Sequence, residues 1–385
     1  MKKIIATTAV LASSVAFAGD YKINLEGRTD LTMATVKTTA QAGTTTEEKW
    51  NNFSNQIIRL NMLANINDNL SFRFRYRFAK GAAAPTTAFG TVSTTGTAGT
   101  ATSREETGTQ LDYLYMDHKN SMFTTRFGKQ NWGGMPYGRE GIVSGTDVFL
   151  TSAVGTNYKT AFGSDYRYGL TAMFKIMDNQ TLDIGLSNPN STFTDTTGTS
   201  KKNTGLAYNV VYTGNFANKM FQPLFAYSMA TQNGDTDATA GSTTKNVTYS
   251  IWNAGVRSEV AGFTVDADYK VLTKPDRNSG TNTTAANKKQ ETKSMYANLA
   301  YAMGDFTPMF TYINDKYETA DTATASNANY KKNSFAVGTY WKPMADVNFR
   351  YHLMYTSANT KYEGTVATNK EIKDNRVLFG FKADI

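Results

Sequence analysis

Residues 71–78 alternate strictly between aromatic and basic side chains. An extended strand over Ser-Phe-Arg-Phe-Arg-Tyr-Arg-Phe presents two opposite rows, Phe72, Phe74, Tyr76 and Phe78 on one side and Arg73, Arg75 and Arg77 on the other. If the aromatic row faces lipid, a slip of one residue would turn three guanidinium groups toward hydrocarbon, at about 2 to 4 kcal/mol each near the bilayer midplane. The pattern therefore determines which way each row of this strand faces.

The same alternation recurs nearly to the end of the chain. Further apolar rows begin at Ile58, Leu206, Phe263 and Val347, and polar residues such as Arg59 lie between them. A single amphipathic strand can belong to a soluble sheet, but many of them in series are typical of a barrel that is apolar outside and wet inside. The sequence therefore predicts an all-β fold, a transmembrane antiparallel up-and-down β-barrel.

Long and short connections alternate along the chain between these segments. Eight are long and rich in Thr, Asn, Gly, Ala and Ser, and the first of them is expected from Lys37 to Asn52. Seven are short and polar, at residues 67–69, 118–120, 177–180, 214–219, 261–262, 304–305 and 345–346. Outer-membrane barrels have short periplasmic turns and longer external loops. Fifteen connections predict sixteen strands with both chain ends on the periplasmic side. Reading residues 162–165 as a further turn would instead add a strand.

The first residues have the pattern of a secretory signal peptide. Lys2 and Lys3 precede an apolar stretch from Ile4 to Leu11, and Ala16-Phe17-Ala18 is a small-residue cleavage pattern. We therefore expect residues 1–18 to be a cleaved signal peptide and residues 19–385 to form a single barrel domain. The apolar stretch is too short for a spanning helix, and no later run reaches the roughly 18 to 20 apolar residues that such a helix needs.

Composition narrows the possible functions. The chain has no cysteine, which rules out disulfides and thiolate metal sites, and 22 Tyr and 22 Phe occur at a mean hydropathy of −0.44. Without Lys2 and Lys3, 38 basic residues stand against 32 acidic ones. These charges are spread over strands, turns and loops rather than gathered on one face, and the signal peptide directs the chain out of the cell, so we expect no nucleic-acid partner.

The third long connection, Asn131 to Asn157, is the candidate for the narrowest point of the channel. It contains Gly133-Gly134 and Pro136, and its six apolar residues are Trp132, Ile142, Val143, Val148, Phe149 and Leu150. A loop surrounded by water would rarely carry so many apolar side chains, so we expect it to fold inward against the barrel wall. A structured external cap is the alternative. Sixteen strands enclose an aqueous channel, which makes passage of solutes the default function.

The segment Phe127-Gly128-Lys129-Gln130 resembles the Gly-Arg/Lys-Gln signature that precedes the third loop of Gram-negative general porins. The resemblance implies a homotrimer in which acidic residues on the infolded loop oppose basic residues on the wall. Carried over by position, Glu140 and Asp147 correspond to the acidic side, and Arg28, Arg59, Arg75 and Arg126 correspond to the basic side. Arg139 of the same loop is a further candidate for the constriction. The chain departs from the family in lacking Pro-Glu-Phe-Gly-Gly in this loop and in ending with Ile385, where an aromatic residue is usual.

Each wall arginine also has a simpler interpretation as a solvated or paired residue. Arg73 and Arg77 have Asp112 and Asp30 as possible partners, whereas Arg75 is central in its strand and is the stronger candidate for selectivity. Charges beside a constriction still act on a passing ion, because the Debye length is near 8 Å at physiological ionic strength. We therefore expect a modest preference for anions.

The resulting prediction is a passive outer-membrane diffusion porin for small hydrophilic solutes and ions. The alternative is a substrate-specific channel for phosphate-like anions or for sugars, although the aromatic residues expected in the lumen are confined to Tyr340 and few others. An adhesin or structural barrel has only the loop composition in its favour. The expected partners are the lipid bilayer and lipopolysaccharide. We expect no cofactor, no metal and no enzymatic activity, since neither His118 nor His352 has an evident serine and carboxylate to complete a catalytic set.

Overall fold

The computed structural model describes residues 20–80, 110–131, 166–187, 192–194, 200–202, 206–233, 246–275, 289–319, 329–344, 346–363 and 369–385. Every regular element within these ranges is a β-strand. None of the described residues belongs to a helix that is long and apolar enough to cross a membrane.

Sixteen strands close into one barrel. They are β1 (Tyr21–Ala40), β2 (Thr45–Asn67), β3 (Leu70–Lys80), β4 (Gln110–Lys119), β5 (Phe123–Asn131), β6 (Tyr166–Met177), β7 (Gln180–Ser187), β10 (Ala207–Gly214), β11 (Gln222–Asn233), β12 (Asn246–Val260), β13 (Phe263–Pro275), β14 (Lys289–Tyr301), β15 (Phe306–Thr319), β16 (Tyr330–Trp341), β17 (Asn348–Tyr362) and β18 (Asn369–Asp384). Two three-residue strands, β8 (Thr192–Thr194) and β9 (Ser200–Lys202), pair with each other outside the barrel.

Each barrel strand pairs antiparallel with its neighbours along the chain, β7 pairs with β10, and β1 pairs with β18 to close the ring. This confirms the predicted sixteen-stranded up-and-down barrel. The segment that could have contained an additional strand supplies one barrel strand, β6, within the described residues. Closure extends to the last residue, because Leu25 and Ile385 exchange two backbone hydrogen bonds of 2.6 and 2.9 Å.

The predicted short turns lie at or within two residues of the observed ones, but the prediction of the first long loop is wrong. We expected a loop from Lys37 to Asn52, whereas β1 continues to Ala40 and β2 begins at Thr45, leaving a tight turn with Gly43 at φ 89°. Opposed threonines and charges favour the extended pairing over a loop. Hydrogen bonds from Lys49 and Lys37 lower the pKa of Glu47 to about 2, so this exterior carboxylate is ionised at neutral pH.

The outer surface of the barrel is apolar with aromatic side chains toward both strand ends. Near the short turns, rings pair across strands as Phe263 with Tyr301 and Trp341 with Tyr351; near the outer ends they pair as Trp252 with Tyr269 and Phe335 with Tyr355. Beyond the outer rings the outward row becomes amide, where the Tyr312 hydroxyl donates to Asn333 at 2.9 Å, and then charged. This order matches two interfacial girdles around a lipid-facing band.

Candidate channel wall

The predicted inward rows of β1 and β3 do face the lumen. On β1, Glu26, Arg28, Asp30 and Thr32 are buried inside the barrel, while Met33 and other alternate residues are exposed on its outer surface. The register joins Arg59 of β2 to Arg77 of β3, and partners in register lie on the same face of a sheet. The wall from β1 to β4 therefore collects most of the predicted arginines.

Three guanidinium groups surround a single carboxylate on this wall. Arg77 Nη2 lies 2.8 Å from Asp112 Oδ1, and the Nε atoms of Arg75 and Arg59 lie 3.2 and 3.3 Å from Asp112 Oδ2. We call these four residues the arginine cluster. The pairing of Arg77 with Asp112 that the sequence suggested is confirmed, and the carboxylate is shared with two further arginines.

A β-bulge puts Asp112 in this position. Arg75 pairs with Tyr113 and Tyr76 pairs with Leu111, so Asp112 between them has no partner in the β3–β4 register. A bulge interrupts the alternation of side chains and can direct an additional residue to one face, and bulges recur beside functional sites. Sequence alternation alone could not have found this carboxylate at the centre of three arginines.

The arginine cluster continues into a second carboxylate and a lysine. Arg59 Nη1 donates to both oxygens of Glu26, at 3.0 and 3.2 Å, and Lys382 Nζ lies 3.5 Å from Glu26 Oε1. Four cations therefore share two carboxylates, which leaves a formal excess of two positive charges on this part of the wall. Charges of one sign on a low-dielectric wall raise the local concentration of ions of the opposite sign.

Two tyrosines flank the arginines inside the lumen. The Arg75 guanidinium carbon lies 3.9 Å from the centre of the Tyr113 ring, and that of Arg73 lies 4.9 Å from the same centre. Arg73 also donates to the Tyr115 hydroxyl at 3.5 Å. Stacking on a ring holds a long side chain in place without neutralising its charge. Arg73 is thus positioned by tyrosines rather than by Asp30, which was one of its two suggested partners.

Arg126 lies farther toward the short turns than the rest of the set. Its Nε and Nη2 atoms donate to the two oxygens of Asp117 at 2.7 and 2.8 Å, three residues after β5 begins. Its guanidinium also lies 4.1 Å from the centre of the Tyr115 ring. The bidentate pair balances the charge of Arg126, so this residue contributes less than Arg75 to the field in the lumen.

Arg28 belongs to a separate buried triad at the seam, the place where β1 and β18 pair to close the barrel. Its Nη2 and Nε atoms donate to Asp30 at 2.6 and 3.2 Å, and His352 Nε2 lies 2.9 Å from Asp30 Oδ1. Asp30 pairs with Gly380 of β18, and Gly380 pairs with His352 of β17, so the contact crosses an entire strand over a glycine. No pattern in the sequence indicated a carboxylate partner for His352, and the structure shows that Asp30 is that partner.

The remaining predicted residues, Arg139, Glu140 and Asp147, lie outside the described residues, as does the proposed inward course of the third loop. Tyr340 faces the lumen as expected, and three further tyrosines of the described ranges join it. Tyr113, Tyr115, Tyr296 and Tyr340 all lie on inward rows, because the bulge at Asp112 changes the alternation of β4 and because β14 presents its even-numbered residues to the lumen. Across the described ranges, no three metal-ligating side chains come together.

Replacing Asp112 by asparagine (D112N) should increase anion preference while weakening the barrel. The local excess rises from two positive charges to three, so the chloride-to-potassium permeability ratio should rise about twofold at 0.1 M salt. Breaking a buried ion pair from one side should lower the free energy of unfolding by about 3 kcal/mol. Reversal potentials in planar bilayers and denaturant unfolding in detergent measure the two effects. An unchanged reversal potential would show that the cluster does not act on permeating ions.

Comparison with known proteins identifies the fold. No protein-family model matches the sequence, and no curated protein does. Among solved structures, the chain is similar to the outer-membrane channel DcaP of Acinetobacter baumannii, with 14% identity, coverage of 96% of this chain and 98% of that one, and a TM-score of 0.63. OmpT of Vibrio cholerae is 13% identical, with coverage of 95% of this chain and 98% of that one and a TM-score of 0.60. OmpF of Salmonella typhi in complex with daunomycin is 13% identical, with coverage of 96% of this chain and 99% of that one and a TM-score of 0.54. The chain therefore has the fold of outer-membrane porins and channels.

Proposed function

We propose that this protein is a passive diffusion channel of the bacterial outer membrane, for small hydrophilic solutes and ions, with a modest preference for anions. The observation that carries the preference is the arginine cluster, together with Glu26 and Lys382, on the inner wall of β1 to β4 and β18. The width of a sixteen-stranded barrel supports passage of solutes, since barrels of this size leave an aqueous channel.

Location and assembly belong to the same proposal. The structural neighbours are described as outer-membrane proteins, and one OmpT structure of Vibrio cholerae is described as a trimer form. We infer that residues 1–18 direct export and are removed, and that the mature chain assembles as a homotrimer in lipid. The outward charged band beyond the outer aromatic rings, which includes Lys316 and Lys331, supports contact with the phosphates of lipopolysaccharide.

A substrate-specific channel for phosphate-like anions is the second candidate. Convergent guanidinium groups suit tetrahedral oxyanions, because planar donors match pairs of phosphate oxygens. The lumen tyrosines beside Arg75 would likewise suit a sugar ring. A phosphate channel and a sugar channel would both be saturated by their substrate, whereas a general diffusion channel is not.

Single-channel recording in planar bilayers tests the proposal. A diffusion channel should conduct in proportion to salt concentration and give a reversal potential that indicates weak anion preference. Block by micromolar to millimolar phosphate or maltose would favour the substrate-specific alternative. Strong cation selectivity would contradict the assignment of the arginine cluster, and protein that leaves liposomes impermeable would contradict a channel altogether.

The expected lack of enzymatic activity stays a prediction. The described residues do contain a histidine paired with a carboxylate, His352 with Asp30, but both side chains are inaccessible to solvent and Arg28 shares the same carboxylate. A base held in this way cannot activate a nucleophile on a solute in the lumen. The seam triad is thus better explained as part of the barrel closure.

A further inference from the structure

A leucine side chain faces the lumen near the periplasmic ends of β1, β2 and β3. Leu63 is the direct register partner of Lys22 on one side and of Arg73 on the other, and partners in register share a face of the sheet. Leu63 is 38% exposed, whereas nearly all other exposed large apolar side chains of the described strands lie on outward rows. The interior of a wide barrel is polar, so this apolar surface in the lumen is unusual. We call Lys22, Leu63 and Arg73 the leucine row.

The two cations of the leucine row are accessible from the lumen. Lys22 is exposed and Arg73 is half-buried. Arg73 donates to the Tyr115 hydroxyl at 3.5 Å and lies 4.9 Å from the centre of the Tyr113 ring, and these contacts position the guanidinium without neutralising it. Within the described ranges, neither Lys22 nor Arg73 forms an ion pair. Because a guanidinium carries several N–H donors, Arg73 keeps donors for an anion in the lumen.

Carboxylates near the leucine row do not pair with its cations. Glu26 pairs with Arg59, and Asp117 pairs with Arg126, while Asp20 is exposed at the rim of the barrel. Adjacent strands are about 4.8 Å apart, so the two cationic positions stand about 10 Å apart across the leucine. The leucine row therefore presents two positive charges with apolar surface between them.

We propose that the leucine row is a subsite for organic carboxylates that carry an apolar chain. The carboxylate group accepts hydrogen bonds from the Arg73 guanidinium, Lys22 adds electrostatic attraction, and the chain lies against Leu63. This contact removes apolar surface of the chain and of the leucine from water. An inorganic anion gains only from the charges, and a neutral apolar solute gains only from the leucine. The inference rests on the proposed channel function and names a solute class for the periplasmic mouth of the lumen.

Block of single-channel chloride current by two carboxylates tests the subsite. Hexanoate and gluconate carry the same charge and the same number of carbon atoms, but the chain of hexanoate is apolar and that of gluconate is hydroxylated. Each would be added to the unmodified channel in a planar bilayer in dilute KCl. Hexanoate should block at a half-blocking concentration roughly four- to tenfold lower than that of gluconate. Equal block by the two carboxylates would overturn the subsite.

Leu63→Asn tests the apolar part of the subsite. It should raise the half-blocking concentration of hexanoate about fourfold, the factor for one methylene group that is no longer buried, and leave that of gluconate unchanged. Leu63→Met keeps an apolar side chain of similar volume and should retain the preference for hexanoate. An unchanged block by hexanoate in Leu63→Asn would contradict the proposal.

Arg73→Gln tests the charged part independently. It should raise the half-blocking concentrations of both carboxylates about tenfold, which corresponds to one lost charge-assisted hydrogen bond. Arg350→Gln is the matched control, because Arg350 lies 4.8 Å from the centre of the Tyr340 ring on the inner face of β17 and has Lys382, not an apolar residue, as its register partner. This variant should be blocked nearly like the unmodified channel.

Two outcomes separate failure of the subsite from failure of the channel. If Arg350→Gln weakens block as much as Arg73→Gln does, the total charge of the lumen binds the carboxylates, and the subsite is overturned while the channel function stands. A lack of conductance in the unmodified protein would instead overturn the proposed function on which the subsite rests.

Discussion

The Arg75→Glu channel (R75E) is expected to lose its anion preference and to favour cations weakly. The substitution removes one positive charge and adds one negative charge in the arginine cluster, which brings its formal excess from two to zero. A change of two charges about 6 Å from a passing ion amounts to roughly 1 kcal/mol in screened water. The chloride-to-potassium permeability ratio should therefore fall about three- to tenfold at 0.1 M salt, measured from reversal potentials across a planar bilayer.

Lys316→Glu is the matched control for that experiment. Lys316 lies on the outer surface of β15 beyond the aromatic rings, where it pairs with Glu318, and the substitution makes the same change in charge. It should leave the permeability ratio nearly unchanged. If both variants shift the ratio equally, overall charge rather than the inner wall determines selectivity, and Arg75 is then an ordinary wall residue.

Gly380→Ala (G380A) is expected to destabilise the barrel strongly at its seam. A Cβ at this position would collide with the Thr29 carbonyl oxygen and would lie 2.6 Å from Asp30 Oδ1 and 2.7 Å from His352 Nε2. The backbone oxygen cannot move without breaking the β1–β18 pairing, and displacing Asp30 breaks a buried ion pair. Overpacking costs about 1 to 3 kcal/mol and a broken buried pair about 3 to 5 kcal/mol, so a loss of several kcal/mol is expected.

Gly27→Ala provides the comparison for the seam. Gly27 lies on β1 of the same seam, and a Cβ there would meet no atom within 4 Å. Denaturant unfolding in detergent micelles, followed by tryptophan fluorescence, should place the Gly27→Ala midpoint near that of the unmodified protein and the Gly380→Ala midpoint far below it. Coincident midpoints for the two variants would show that the glycine gap does not hold the triad together.

The fold could be predicted from the sequence because the barrel imposes a period of two on nearly every strand. Apolar rows such as Leu206, Tyr208 and Val210 are exposed at 41 to 44%, as only a lipid-facing surface would be. The prediction of the first connection failed because these residues have the composition of a loop. Cross-strand pairs such as Lys37 with Glu47, which favour paired strands, can be recognised only once the register is known.

The wall chemistry was only partly predictable. Alternation put Arg59, Arg75 and Arg77 on the lumen face, but the shared Asp112 depends on a bulge, and a bulge breaks the rule on which the prediction rests. Asp30 and His352 are 322 residues apart in sequence and meet only because the barrel closes β1 onto β18 over Gly380. Contacts made by closure leave no local signal in a single sequence.

The hairpin of β1 and β2 continues well past the lipid-facing band of the barrel. From Met33, the last exposed apolar residue on β1, to Ala40 the strand rises about 23 Å at 3.3 Å per residue, and the tip at Gly43 is a four-residue turn. β1 and β2 stay paired over this length, up to Thr39 and Thr45, so they form a two-stranded ribbon that extends beyond the lipid-facing band. An epitope inserted at the tip of this ribbon should therefore be accessible to antibodies added from outside the cell.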